Sequence, residues 1–178
     1  TKILDVVARL HASYWNSPLL DEMPWLPPMN NPLYKGGQDM ALARFPAFAD
    51  RFGERIGPAM MATIERACNH YCDMLDHVVA QGHVTFTHTD CRAENYLFGG
   101  SAGDDVVTMI DFQLSTKHFG PFDVAGLLGG SMPPDVRRGC ETQLVEGYHR
   151  TLVEQGVEGY TLERCWHDYR MSLLQNCT

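Results

Sequence analysis

The chain has 178 residues, a net charge of −8 and a hydrophobic fraction of 44 %, which suits one domain with a core of its own. The acidic balance argues against a nucleic-acid surface. No apolar run reaches membrane-spanning length and no signal-peptide pattern is present. Six cysteines are scattered through helical patterns, and such spacing reads as free thiols in a reducing cytoplasm.

Ile3, Val6, Val7, Leu10 and Tyr14 follow helical spacing, and Pro18 ends that helix near Asn16. The chain thus opens inside a helical pattern and closes just after another, as expected of a piece of a longer protein or of a chain that has lost its initiator methionine. Residues 17–38 carry Pro18, Pro24, Pro27, Pro28, Pro32, Gly36 and Gly37 and predict a long irregular loop, of the kind that is usually functional or mobile. Trp15, Trp25, Leu26 and Tyr34 are expected to pin it. A helix is predicted from Asp39 to Arg51, interrupted at Pro46 and closed by Gly53. A longer one follows from Pro58 to just before Gly82.

The period then changes. Val84, Phe86 and His88 alternate with threonines, as in a short strand. Tyr96–Phe98 and Val106–Ile110 read as two further strands around a turn at Gly99–Asp104. Helices are predicted at Phe122–Leu128, Pro134–Gln155 and Leu162–Gln175, with Gly156 ending the second and Thr161 capping the third. The fold class is therefore α+β and predominantly helical, with a β-hairpin region at 84–111 inside a single domain over 1–178.

That hairpin is flanked by residues with phosphoryl-transfer chemistry. Asp90 follows a strand, where it can orient an attacking hydroxyl and accept its proton. Asn95 lies five residues on, at the spacing of a kinase catalytic-loop asparagine. Its amide oxygen and the Asp111 carboxylate are hard ligands suited to Mg2+. Arg92 is placed to reach the transferred phosphate, with an ion pair to Glu94 as the bland alternative. His88 reads as an internal hydrogen-bonding residue that holds the loop. A zinc cluster of Cys68, His70, Cys72 and His77 fails because one helix cannot close four ligands. A hydrolase triad of Ser131, His118 and Asp123 lacks a nucleophile elbow.

Four stretches carry a resemblance. Ala8–Trp15 is similar to an "LA-x-LH-A-x-x-W" helix, His88-Thr89-Asp90 to an "HGD", Ile110–Gln113 to an "IDFQ", and Gly120–Ala125 to a "P-x-x-DLA". Together they resemble the C-terminal lobe of the aminoglycoside phosphotransferase and choline kinase-like superfamily, nearest its ecdysteroid kinase-like branch and the bacterial relatives of that branch. The resemblance implies a protein-kinase-like fold and an ATP- and Mg2+-dependent transfer to the hydroxyl of a small-molecule substrate. It makes Asp90 the catalytic base, Asn95 and Asp111 the metal ligands, and Asp123 a structural aspartate supporting the loop. Thr89 departs from the pattern: a β-branched residue disfavours the positive φ that glycine accepts.

A kinase of this type carries an N-terminal lobe of strands with a glycine-rich flap and a strand lysine. Neither is found here: Lys2, Lys35 and Lys117 are the lysines, and none sits in an apolar strand. The chain is thus expected to be a C-terminal lobe holding half of an active site, with its ATP contacts missing. A non-catalytic remnant or binding module of the same fold is the alternative. A bare lobe is expected to self-associate through the surface that meets its other half. The acceptor pocket is expected among the 17–38 loop and the helices from Pro134 onward, with Tyr148, Trp166, Tyr169, Glu141, Glu146 and Asp168 as candidate lining or, for the aromatics, core.

Overall fold

A computed structural model describes residues 1–99 and 106–177. Helix α1 spans Lys2–Tyr14 and buries Leu4, Val7 and Ala8, the stripe its helical spacing dictates. It packs on α5 (Pro121–Ser131) and α6 (Pro134–Glu154), with α7 (Leu162–Gln175) closing the core. Val124, Leu128, Val145, Tyr148, Leu152, Cys165 and Tyr169 fill the space between them. The hydroxyl of Thr161 accepts from the Arg164 amide at 3.1 Å and so caps α7.

Two two-stranded antiparallel sheets lie beside this bundle. In the first, β1 (Thr85–Thr87) pairs with β4 (Thr116–His118) in the register Thr85↔His118, Phe86↔Lys117, Thr87↔Thr116. In the second, β2 (Tyr96–Phe98) pairs with β3 (Val107–Met109). Asn16 links α1 to the first sheet: its amide donates to the Val84 carbonyl at 2.8 Å and its side-chain oxygen accepts the Val84 amide at 2.9 Å. Asn16 takes a positive φ of 48° to do so, a conformation asparagine tolerates.

The structure departs from the sequence expectations in several places. The irregular segment is shorter than 17–38, because α2 runs from Pro32 to Ile56. Asn31 caps it by accepting the Leu33 amide at 2.9 Å, and Pro32 occupies the first turn, where a missing N–H is harmless. Gly36 and Gly37 are absorbed into the helix. At Gly37 a Cβ would lie 3.4 Å from the Tyr71 ring. The helix also passes through Pro46 and ends at Gly57, not Gly53, with Gly57 at φ 85°.

The single helix expected from Pro58 is two, α3 (Pro58–Asn69) and α4 (Tyr71–Ala80), broken at His70. At this break the Cys72 amide finds the Gln38 side-chain oxygen at 2.8 Å. Strand β4 was not expected. Its Lys117 amide also donates to the Pro27 carbonyl at 2.8 Å, and its carbonyl accepts from Met29 at 3.1 Å, so the sheet ties down the proline-rich segment. Leu26 is buried there while Trp25 stays exposed. The expected turn at Gly99–Asp104 lies, from Gly100 on, outside the described residues. Among the described residues no helix is long and apolar enough to cross a membrane, and the cysteines are free.

Candidate functional site

The candidate residues sit where the two sheets meet α5. Strand β1 runs into His88, which is fully buried. Its Nε2 lies 2.7 Å from the Ile110 carbonyl; a carbonyl only accepts, so Nε2 carries the proton. The His88 ring packs on Phe112 with centroids 4.9 Å apart. The segment before Asp90 is thereby tied to the segment before Asp111.

Asp123, in the first turn of α5, is 1 % exposed and organises the loop from behind. Its Oδ2 accepts the His88 amide at 2.7 Å and its Oδ1 accepts the Thr89 amide at 2.8 Å. Oδ2 also accepts from His11 Nε2 at 3.1 Å, and the other ring nitrogen of His11 meets the Tyr148 hydroxyl at 2.8 Å. With the carboxylate as acceptor, His11 carries its proton on Nε2, so Tyr148 donates to Nδ1. Burial holds the Tyr148 hydroxyl well above its ordinary range, which keeps it a donor. Strands and helices α1, α5 and α6 thus converge on one buried carboxylate. Gly120 makes this possible, since a Cβ there would collide with the Tyr148 hydroxyl and come within 2.6 Å of His11 Nδ1.

Thr89 has a φ of +70° and Asp111 of +66°, conformations that cost energy in a residue with a Cβ and concentrate at functional sites. Asp90 follows Thr89 and is a quarter exposed on its side chain. Asn95 is buried, and its amide nitrogen donates to the Asp90 carbonyl at 2.7 Å and to the Asp90 carboxylate at 3.1 Å. That fixes the flip of the amide and leaves Asn95 Oδ1 as an unspent acceptor. The Asn95 carbonyl receives the Ile110 amide at 3.0 Å, so Asp111 begins one residue from Asn95's own backbone partner. Behind the loop, Cys91 Sγ and the Tyr96 hydroxyl are 2.8 Å apart. Burial, then the nearby Asp123 charge, pushes the Cys91 thiol well above its usual range, so it stays neutral.

Arg92 departs from the expected alternative of an ion pair with Glu94. Its Nε lies 3.4 Å from Asp90 Oδ1, with the side chain more than half exposed; it is paired with neither Glu94 nor anything deeper. Tyr148 and Tyr169 are core, the role their helical spacing favours, and Asp168, expected to line the acceptor pocket, is buried with them. Asp168 is satisfied by the Tyr160 hydroxyl and by Arg164 Nε, both at 2.8 Å. Tyr169 donates to Glu141 at 2.6 Å. These polar contacts let the aromatics fill the bundle without an unpaired hydroxyl. Ser131 accepts the Ala93 amide at 2.8 Å, and His118 stacks on Phe119 and Phe122, so neither joins Asp123 in a nucleophilic triad.

The sequence reading gave His11, Tyr148, Thr116 and Gly120 no part in supporting the loop. Helical spacing places Tyr148 on a core face but cannot announce that its hydroxyl reaches a residue 137 positions away. Among the described residues no three or more His, Cys, Asp or Glu side chains form a cluster able to hold a metal. Asn95 and Asp111 offer an amide oxygen and a carboxylate, donors of the kind a hard cation takes together with phosphate and water.

No curated protein and no solved structure matches the chain. A family model does, over residues 5–157, which includes every residue described above from His11 to Tyr148. The chain belongs to the ecdysteroid kinase-like family, within the protein-kinase-like superfamily.

Proposed function

We propose that this chain is the acceptor-activating, C-terminal lobe of an ATP- and Mg2+-dependent phosphotransferase acting on the hydroxyl of a small molecule. The observation that carries the reading is the Asn95 side chain, whose nitrogen is committed to Asp90 at 2.7 and 3.1 Å. Its oxygen takes no hydrogen bond among the described residues, and its backbone carbonyl holds the Ile110 amide at 3.0 Å, one residue before Asp111. A turn asparagine has no need to be buried against a second carboxylate-bearing loop in this way.

In this reading Asp90 orients the acceptor hydroxyl and takes its proton as the oxygen attacks phosphorus. Its basicity matters less than its placement, because the proton leaves late in a loose transition state. Asn95 holds Asp90 by bonds to both its carbonyl and its carboxylate and presents its own oxygen, with Asp111, to Mg2+. The ion, when bound, neutralises charge on the phosphate oxygens. Arg92, already beside Asp90, keeps the partly buried carboxylate aimed and is free to swing toward a phosphoryl group. His88 and Asp123 touch no reacting atom; they position the backbone from which Asp90 and Asp111 project.

Calorimetric titration of the chain with ATP in the presence and absence of Mg2+ tests this. Mg2+-dependent heat that Asp111→Asn and Asn95→Ala each weaken by roughly tenfold, with far-ultraviolet circular dichroism unchanged, is the expected result. Heat that survives both substitutions overturns the assignment of Asn95 and Asp111, and absence of Mg2+-dependent heat shows that the lobe alone does not hold ATP.

A further inference from the structure

The backbone directly before Asp90 poses a problem that the rest of the site does not solve. Thr89 sits at φ +70°, where a β-branched side chain is disfavoured and glycine is not. Its amide is held by Asp123 at 2.8 Å, but one hydrogen bond on the N–H side leaves ψ, and with it the aim of Asp90, free to relax. The opposite side of the residue is held by its hydroxyl. Thr89 Oγ1 lies 2.9 Å from Thr116 Oγ1 and 3.3 Å from Thr87 Oγ1, and Thr87 and Thr116 Oγ1 are 3.1 Å apart.

Thr87 Oγ1 donates to the Thr116 carbonyl at 2.9 Å, so its oxygen can only accept from the other two. Thr89 and Thr116 share the shortest bond of the triangle, which either hydroxyl can donate, and Met29 Sδ lies 3.7 Å from Thr116 Oγ1 as a weaker acceptor. Thr87 and Thr116 are fully buried and face each other across the β1–β4 pair. The hydroxyl that Thr89 meets is thus fixed by a ladder register.

We propose that Thr116 is a positioning residue for Asp90: its hydroxyl clamps Thr89 in the left-handed conformation, and it is needed only because residue 89 carries a side chain. The proposal rests on Asp90 being the group that faces the acceptor, and it assigns to β4 a part in the site that no phosphate or metal contact would reveal. It also makes a dependence between two positions, 89 and 116, that a purely structural role for Thr116 does not make.

The test reads geometry and not turnover, so its failure is separate from failure of the phosphotransferase reading. In the 15N-labelled chain the Asn95 side-chain amide, assigned by its loss in Asn95→Asp, reports the bonds to the Asp90 carbonyl and carboxylate. Thr116→Val is expected to shift and broaden this pair while the backbone amides of α7 keep their positions. Thr116→Ser is expected to restore it. In a Thr89→Gly background, where the left-handed backbone carries no strain, Thr116→Val is expected to leave the pair unmoved.

An unshifted Asn95 amide in Thr116→Val overturns the proposal. So does an equal disturbance in the wild-type and Thr89→Gly backgrounds, which would make Thr116 a packing residue only. If Thr116→Val fails to fold, Thr89→Val and Thr89→Ser decide the matter: the first should disturb the Asn95 pair and the second should not, and equal spectra from both overturn it. Mg2+-dependent ATP binding that survives Asp111→Asn and Asn95→Ala, with all these resonances as expected, would remove the proposed function and leave the clamp standing.

Discussion

His88 Nε2 and the Ile110 carbonyl, 2.7 Å apart, join the two segments from which Asp90 and Asp111 project. They are 22 residues apart in sequence and share no strand or helix, so the segments are joined by this bond and by Asn95, which reaches Asp90 with its side chain and the Ile110 amide with its carbonyl. His88→Ala removes a fully buried side chain together with its hydrogen bond, and leaves both a cavity and an unpaired carbonyl. About 2–4 kcal/mol of stability should be lost. The local signature is more telling than the total. The Ile110 amide, which bonds the Asn95 carbonyl at 3.0 Å, should exchange with solvent faster by a larger factor than amides in α7. Uniform acceleration throughout the chain would show instead that His88 only fills space.

The path from Tyr148 through His11 to Asp123 predicts non-additive energetics. Tyr148→Phe deletes the donor 2.8 Å from His11 Nδ1 and strands a buried ring nitrogen, at a cost of about 1–2 kcal/mol. Asp123→Asn removes the carboxylate that fixes His11's tautomer and, with it, one acceptor for the His88 and Thr89 amides. Once His11 is released, the Tyr148 hydroxyl has less to hold. Urea unfolding of both single variants and the double variant should give a coupling above about 0.5 kcal/mol. A coupling of zero would mean that the two contacts are independent and that α6 does not help to hold the loop.

Two glycines give opposite expectations from the same substitution. At Gly120 an added Cβ would meet the Tyr148 hydroxyl and His11 Nδ1, side chains locked in the buried network and unable to swing away. Gly120→Ala should destabilise by about 1–3 kcal/mol through overpacking. At Gly36, inside α2, a Cβ meets nothing within 4 Å. Gly36→Ala should stabilise by about 0.4–1 kcal/mol by restricting the unfolded chain and favouring helix. Thermal melts of the two variants should move in opposite directions, and movement in the same direction would contradict the packing described at Gly120.

What the sequence made legible follows from how local each signal is. The spacing from His88 to Asn95 and the strand ending at Ile110 are local, so the loop and its flanking strands are readable from residue order alone. The break at His70 is not, because the groups that resolve it, Gln38 and Cys72, lie 34 residues apart. Strand β4 was missed for a related reason. Thr116-Lys117-His118 shows no alternation of polar and apolar residues, and it is a strand because β1 on one side and residues 27–29 on the other offer it partners. The start of α2 at Pro32 had a readable cap in Asn31, outweighed by a cluster of prolines and glycines that usually marks a loop. Composition describes a tendency, and here one hydrogen-bonded cap and a first-turn proline overrode it.

His118 supplies a pH dependence with a definite sign. It is fully buried between Phe119 and Phe122. Burial lowers its pKa from 6.5 to about 3, against the smaller upward pull of Asp123 and Gln175. The unfolded chain therefore binds a proton below pH 6.5 that the folded chain refuses. Stability from this group is complete above the unfolded value and is lost as pH falls toward the folded one, by about 1.4 kcal/mol per pH unit inside that window. His118→Phe keeps the ring and removes the titration. Because carboxylates and the other histidines titrate in both proteins, the difference between wild type and variant isolates His118. Unfolding free energies compared at pH 7 and pH 5 should show the wild type losing about 2 kcal/mol more than the variant. An equal loss in both would mean that the folded protein protonates His118 near its ordinary value, and that the β4–α5 junction opens to water.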